Sequence, residues 1–177
     1  IYTRGHRQPW SLDYDAPTGF VLSAENGGDL ADDNDEVNRL IPGANFGWPK
    51  AFGDGWSTST RTNRVEGFVS PWFAYKRNTG ASCTGATIYR APAAGSGYPS
   101  KYNGALFYAD FSRKSVRSVP IDPSTSRPRE SEPFMQGGTA GPIALRLGPD
   151  GALYFITHGG APKASTNDTV ARIVWQP

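Results

Sequence analysis

The sequence is poor in several things at once. A single cysteine, Cys83, stands among 177 residues, with one methionine and two histidines. One thiol cannot build an internal disulfide framework or a Cys-rich zinc site. Two readings of Cys83 stay open: a buried free thiol, or a disulfide to a cysteine outside this sequence, which would suit a secreted protein. Charged residues make up only 19% of the chain and the net charge is +2. No basic stripe of the kind that nucleic-acid binding requires is present, so no nucleic-acid partner is expected. No apolar run approaches the ~20 residues of a membrane helix. The longest, such as Ala105-Leu106-Phe107-Tyr108-Ala109, are strand-sized, so no membrane span is expected in this chain. Helical periodicity is nearly absent, and residues 32–40, ended by Pro42, are the one helix candidate.

Glycine, proline and aromatic residues are what the chain has instead. It carries 21 Gly, 15 Pro and five Trp, a composition of short strands, frequent turns and enough apolar material for a core. Three segments repeat one logic. Residues 12–15 lead through Ala16-Pro17-Thr18-Gly19 into Phe20-Val21-Leu22-Ser23. Tyr102-Asn103-Gly104 leads into Ala105-Leu106-Phe107-Tyr108, and residues 145–147 lead through Gly148-Pro149-Asp150-Gly151 into residues 152–156. Each reads as a hairpin built on a Gly-containing turn. Each is followed by a strand with a basic residue: Val37-Asn38-Arg39-Leu40, Val116-Arg117-Ser118-Val119 and Val170-Ala171-Arg172-Ile173. Such recurrence is a propeller-blade pattern with insertions. At roughly 40 or more residues per blade the chain holds three blades at most. The long connection from Gly47 to Ala81 is irregular and contains Trp48, Trp56 and Trp72. It is expected either to arch over the propeller mouth or to pack its Trp rings on a blade.

Three blocks carry a resemblance. They are Arg4-Gly5-His6-Arg7-Gln8-Pro9, then Ser23-Ala24-Glu25-Asn26-Gly27-Gly28, then Asp35-Glu36-Val37-Asn38-Arg39-Leu40 with Asn45-Phe46-Gly47-Trp48-Pro49. In this order they resemble the glucose/sorbosone dehydrogenase family, quinoprotein sugar dehydrogenases on a six-bladed β-propeller. The resemblance implies an all-β fold: part of a six-bladed propeller, about three antiparallel four-stranded blades, with residues 1–177 as the C-terminal half. It further implies that the N-terminal half lies outside this sequence or that another chain closes the ring. Ile1-Tyr2-Thr3-Arg4 is expected to be the tail of a strand already under way, a signal-cleaved start being the alternative. An extracellular or periplasmic location follows from the same likeness.

The resemblance also implies a cofactor, PQQ, and a metal, Ca2+. Arg7 would grip a cofactor carboxylate, since a guanidinium can give two parallel hydrogen bonds. Gln8 would replace the family's usual Asn beside it. The carbonyls of Gly27 and Gly28 would bind calcium, which takes oxygen ligands; Gly28 stands where Pro is usual and is expected to loosen the loop. His6 is expected to be structural, because the family's base histidine comes from an earlier blade. His158, before Gly159-Gly160, is a loop histidine or a tunnel-facing one.

Departures from the family pattern lie late in the chain. Glucose-oxidising members use a lysine after a late strand and an arginine pair before a P-D-G turn. Here Ser112 stands at the lysine position, and residues 140–147 hold only Arg146. This likens the chain to the sorbosone dehydrogenase branch. The acidic residues Asp29, Asp32, Asp33, Asp35 and Glu36 form a second candidate for calcium, or a solvated loop with Glu36 capping or pairing with an arginine. Asn167-Asp168-Thr169 is a glycosylation sequon, usable in a secreted eukaryotic protein. Two functions follow: an extracytoplasmic PQQ-dependent sugar or aldehyde dehydrogenase, or a non-catalytic propeller serving as a binding or structural platform.

Overall fold

The computed structural model describes residues 1–30, 32–53, 56–57, 65–78, 81–93, 97–138, 140–158 and 168–176. Within them the chain is all-β and forms part of a β-propeller. Blade one is the four-stranded sheet β1 (Pro9–Asp15), β2 (Phe20–Glu25), β3 (Asn34–Leu40) and β6 (Phe73–Lys76). A small hairpin of β4 (Ala51–Phe52) and β5 (Trp56–Ser57) lies in its long third connection. Blade two runs from β7 (Cys83–Ile88) through β8 (Leu106–Asp110) and β9 (Ser115–Val119) to β10 (Glu132–Gln136). Blade three comprises β11 (Gly141–Leu147), β12 (Leu153–His158) and β13 (Thr169–Ile173), three strands among the described residues where four were expected. All pairings within these sheets are antiparallel.

The turns form where their chemistry dictates. Gly19 (φ +71°) closes the β1–β2 turn, whose Asp15 side chain accepts from the Thr18 N–H at 3.2 Å. Gly151 (φ +75°) closes the β11–β12 turn. Both need the left-handed backbone that glycine adopts without strain. The turn at Tyr102-Asn103-Gly104 is present, but its upstream strand is not adjacent. β8 pairs with β7, which ends at Ile88, and a loop containing a 3-10 turn at Ser100–Tyr102 separates the two. The helix candidate at residues 32–40 is a strand: β3 pairs with β2 on one side and β6 on the other. Burial between two neighbouring strands outweighs a weak local preference.

Alternation along β8 shows how the blades stack. Leu106 and Tyr108 pack toward blade one with Leu22, Val37, Trp72 and Ile88. Phe107 and Ala109 pack toward blade three with Tyr89, Leu145 and Leu153. Successive side chains point to opposite faces, so a strand buried on both faces reads as a continuous apolar run. Trp72 is therefore a core residue, its Nε1–H donating to Ser126 O at 3.0 Å. A bidentate bond from Arg90 to Asp15 also ties blade two to the first hairpin.

The first strands of the three blades converge. Thr84 on β7 donates to Pro142 O on β11 at 2.6 Å, and Trp10 Nε1 on β1 donates to Ile143 O at 2.9 Å. A Cβ on Gly85 would lie 2.7 Å from Leu145 N, so only glycine lets these strands approach so closely. Flanks are left apolar: Trp10, Leu12 and Tyr14 on β1 are half-exposed or more, as are Val170 on β13 and Val174 just after it.

Candidate functional site

The site is assembled at the entrance to β1 and the exit of β2, where the three sequence blocks meet. The first block lies against the third. Arg4 N–H donates to Ala44 O at 3.0 Å, Phe46 N–H to Arg4 O at 2.9 Å and Trp48 N–H to Gly5 O at 2.9 Å. Arg4 thus forms a single parallel bridge with Asn45, not a strand of its own. Gly5 (φ +77°) is wedged there: a Cβ would lie 2.1 Å from Asn45 Oδ1. This close approach explains why the Gly-His-Arg and Asn-Phe-Gly-Trp segments go together.

Glu25 joins the first block to the second. Its buried carboxylate lies 2.8 Å from His6 Nδ1, accepts the Arg7 backbone N–H at 2.5 Å and accepts from Asn38 Nδ2 at 3.2 Å. The other ring nitrogen of His6 lies 2.9 Å from Thr3 Oγ1, and its ring packs on Phe46. Both nitrogens of His6 are therefore engaged, as a structural histidine requires. The Arg7 guanidinium projects beyond this hub, 2.8 Å from Asp29 Oδ2 and 5.5 Å from the Trp48 ring centre. Gln8 accepts weakly from Arg7 at 3.4 Å through its side chain, and its carbonyl accepts the Asn26 N–H at 3.1 Å.

Gly27 and Gly28 follow directly. Gly27 N–H donates to Asp35 Oδ1 at 3.1 Å. A Cβ at Gly27 would fall 1.6 Å from Asn34 O, and one at Gly28 would fall 1.9 Å from Asp33 Oδ2. Glycine at position 28 is thus demanded by the neighbouring Asp33 carboxylate, and the loop is packed where it was expected to be loose.

The acidic cluster divides in two. Asp29 and Asp32 are largely solvent-exposed, whereas Asp33, Asp35 and Glu36 are buried. Asp35 accepts from Arg77 Nη1 at 2.7 Å and from the Cys83 N–H at 2.9 Å. It is Asp35, not Glu36, that pairs with an arginine. Glu36 accepts the Gly53 N–H at 2.7 Å and a bond from Asn38 at 3.2 Å. Burial, then the negative charge of Glu25, pushes the Glu36 carboxyl up to about 7. Among the described residues no group of three or more His, Cys, Asp or Glu side chains is arranged to hold a metal.

A cleft of about 390 Å³ lies where the blades converge. Trp10 on β1, Thr84 on β7 and Ile143 on β11 line it, together with Asn26, Phe111 and His158. Asn26 Oδ1 is buried without a partner, an acceptor left open beside the cleft. His158 Nδ1 lies 3.2 Å from Asp168 Oδ1. Ser112 lies 3.0 Å from Ser82, another cleft residue. The late basic residues turn elsewhere. Arg113 donates to the carbonyls of Lys76 and Arg77, and Arg146 bonds Leu12 O and lies 3.6 Å from Asp13.

These residues fit a planar, carboxylate-bearing group in part. An apolar and aromatic cleft and an open amide acceptor are present; among the described residues no arginine or lysine lines the cleft, and the Arg7 guanidinium lies beside Asp29 and Trp48 instead. Sequence reasoning placed Arg7, Gln8, Gly27 and Gly28 in one neighbourhood, and the structure brings them together. It missed Glu25 as the hub and Arg77 as the partner of Asp35. Glu25 could have been found as the one acid inside the block of a neutral-looking strand; Arg77 lies 42 residues from its partner and left no local signal. The sequon asparagine and Gly159-Gly160 lie outside the described residues.

A profile of the glucose/sorbosone dehydrogenase family matches residues 1–164. Quinoprotein glucose dehydrogenase B from Acinetobacter calcoaceticus is 42% identical over 53 residues, 30% of this chain and 10% of that protein. The crystal structure of a glucose dehydrogenase superposes with a TM-score of 0.74 at 23% identity, over 99% of this chain and 47% of that one. The PQQ-bound aldose sugar dehydrogenase of Streptomyces coelicolor superposes at 0.69 and 23% identity, over 97% of this chain and 44% of that one. At these identities the superpositions speak to the fold, and the chain spans less than half the length of these structures. The match along most of its length shows that the chain belongs to the glucose/sorbosone dehydrogenase family.

Proposed function

We propose that this chain is the cofactor-holding part of an extracytoplasmic PQQ-dependent dehydrogenase of sugars or related aldehydes, in the sorbosone dehydrogenase branch. The observation that carries the reading is the hydrogen-bonded union of the three family blocks around Glu25, with Arg7 projecting from it. When bound, PQQ would supply the electrophilic quinone that accepts a hydride. Arg7 would hold one of its carboxylates, exchanging the exposed Asp29 for the ligand. The Asn26 amide and the aromatic walls of the cleft would orient the rings and exclude water. The carbonyls of Gly27 and Gly28 would offer oxygen ligands to Ca2+.

Arg7 alone gives fewer charge-assisted bonds than an arginine pair and a lysine would. Each such bond contributes roughly 1.5–3 kcal/mol, so PQQ is expected to bind more weakly than in glucose-oxidising relatives. Sorbosone or another aldehyde is the expected substrate, with glucose poor. The second reading, a non-catalytic platform, is favoured by the engagement of Arg113 and Arg146 away from the cleft. The test is to load the full-length protein with PQQ and Ca2+ and follow dye reduction with sorbosone and a panel of aldoses. Turnover of sorbosone that Arg7→Ala abolishes is expected. Loss of all PQQ on dialysis, with no sugar oxidised, would overturn the enzyme reading and leave the platform.

A further inference from the structure

We infer that Glu25 is the positioning residue of the site: it sets the place of Arg7 and of the Asn26-Gly27-Gly28 turn relative to each other, so that cofactor and metal loop share one support. This rests on the PQQ reading above. The carboxylate is 5% exposed and meets three groups on two segments: the His6 ring and the Arg7 backbone N–H just before β1, and Asn38 on β3. It bonds no side chain that would meet a ligand, its contact with Arg7 being to the main chain. It acts through Arg7's main chain on one side and, as the residue preceding Asn26, through the β2 exit on the other.

The arrangement has a reason beyond packing. A buried carboxylate is costly unless several donors meet it, and an apolar residue at this point of β2 would have been simpler, as Leu22 and Ala24 are in the same strand. One oxygen, Oε1, meets the Arg7 amide, and the other, Oε2, meets both the His6 ring and the Asn38 amide. With Arg7 N–H tied to one oxygen and His6 to the other, the peptide between them cannot rotate freely. The direction in which the Arg7 side chain leaves the backbone is thereby set. The Asn26 N–H, tied to Gln8 O at 3.1 Å, completes a closed loop of contacts between the two blocks. Outer residues that orient ligand-holding groups in this manner typically change affinity by 10–100-fold when altered.

Glu25→Gln tests this in the full-length protein. Gln keeps the shape but replaces one carboxylate oxygen with an NH2 donor, so either the Arg7 N–H or the Asn38 amide faces a donor in place of its acceptor. PQQ affinity, read from the change in cofactor absorbance on titration, is expected to fall about 10-fold or more. In an Arg7→Ala background the part of the effect that passes through Arg7 is gone, so the same Glu25→Gln change is expected to weaken binding distinctly less than it does in the wild type. Backbone amide exchange at Arg7, measured without cofactor, is expected to quicken in Glu25→Gln. If Glu25→Gln fails to fold, His6→Gln loosens the same carboxylate from the other side and carries the same pair of readings. Equal weakening with and without Arg7 would show a general structural effect and overturn the inference, as would unchanged affinity. Wild-type protein that binds no PQQ would instead overturn the function on which the inference rests.

Discussion

Blades one and two share a strand plan and fill it with opposite chemistry. In blade two the third strand, β9, buries Ser115, Val116, Ser118 and Val119 and completes an apolar, aromatic layer. In blade one the equivalent strand, β3, buries Asp35, Glu36, Val37 and Asn38 in a row. Neighbouring carboxylates in a protein interior cost free energy, and a strand of this kind is stable only because long-range donors meet each one. The middle blade is thus a spacer optimised for packing, whereas the first blade gives up stability to hold polar groups at the β2 exit. Sites where local rules are broken and compensated are where function is to be sought.

Removing the centre of the apolar layer is expected to have the largest effect on stability. Phe107 is fully buried, in edge-to-face contact with Tyr89 and Phe134 and in tilted contact with Tyr102. Phe107→Ala should cost about 3–5 kcal/mol in chemical denaturation while leaving Arg7 and its partners in place. Cofactor affinity measured under strongly native conditions should therefore hardly move. A large loss of affinity would break the distinction between spacer and site.

Asp35→Ala attacks the polar side. It strips the partner from Arg77 and from the N–H groups of Gly27 and Cys83. The expected cost is about 3 kcal/mol, the low end for breaking a buried pair, with a loss of Ca2+ affinity because Gly27 is no longer tied. Calcium titration followed by calorimetry checks it; unchanged calcium affinity would separate the glycine turn from the metal.

The smallest effect is a pH slope. Glu36 carries a carboxyl raised from 4.5 to about 7 by burial and by Glu25. Between these values the folded protein holds a proton that the unfolded chain has released. Stability from this group is complete below pH 4.5, falls as pH rises, and is lost above about 7. Glu36→Gln removes the titration, so the variant should gain on the wild type by on the order of 2 kcal/mol between pH 5 and pH 8. Urea denaturation at the two pH values reads the difference directly. Parallel curves would mean that Glu36 ionises freely.

The hairpins at 12–23 and 145–156 were legible because turn glycines and alternating apolar residues are local signals. The three blocks were legible as a neighbourhood, since each holds a backbone feature, such as Gly5 against Asn45, that sequence pattern records. The division of the acidic run was not. Whether Asp35 is buried depends on Arg77, which follows β6, and on Cys83, which reaches it from blade two, both more than 40 residues away. The second half of β3 was legible as a strand at Val37-Asn38-Arg39-Leu40, whereas its first half was not separable from a helix candidate, because its burial comes from β2 and β6 on either side. The partners of Ser112 and Arg146, Ser82 and the β1 strand, lie too far along the chain to be read from spacing.

Cys83 sits at the seam between the two blades contrasted above. Its amide is tied to Asp35, and burial, followed by the charges of Asp35 and Asp110, pushes its thiol well above the ordinary range. Being the one sulfhydryl in this sequence, it is a built-in clock. Closed, it is hidden from an alkylating reagent, which only an accessible thiolate attacks. Each parting of the blades exposes it for a moment. The labelling rate in excess reagent, divided by that of a free thiol, gives the fraction of time the seam stands open, and so a measure of how firmly the polar blade is held to the apolar one.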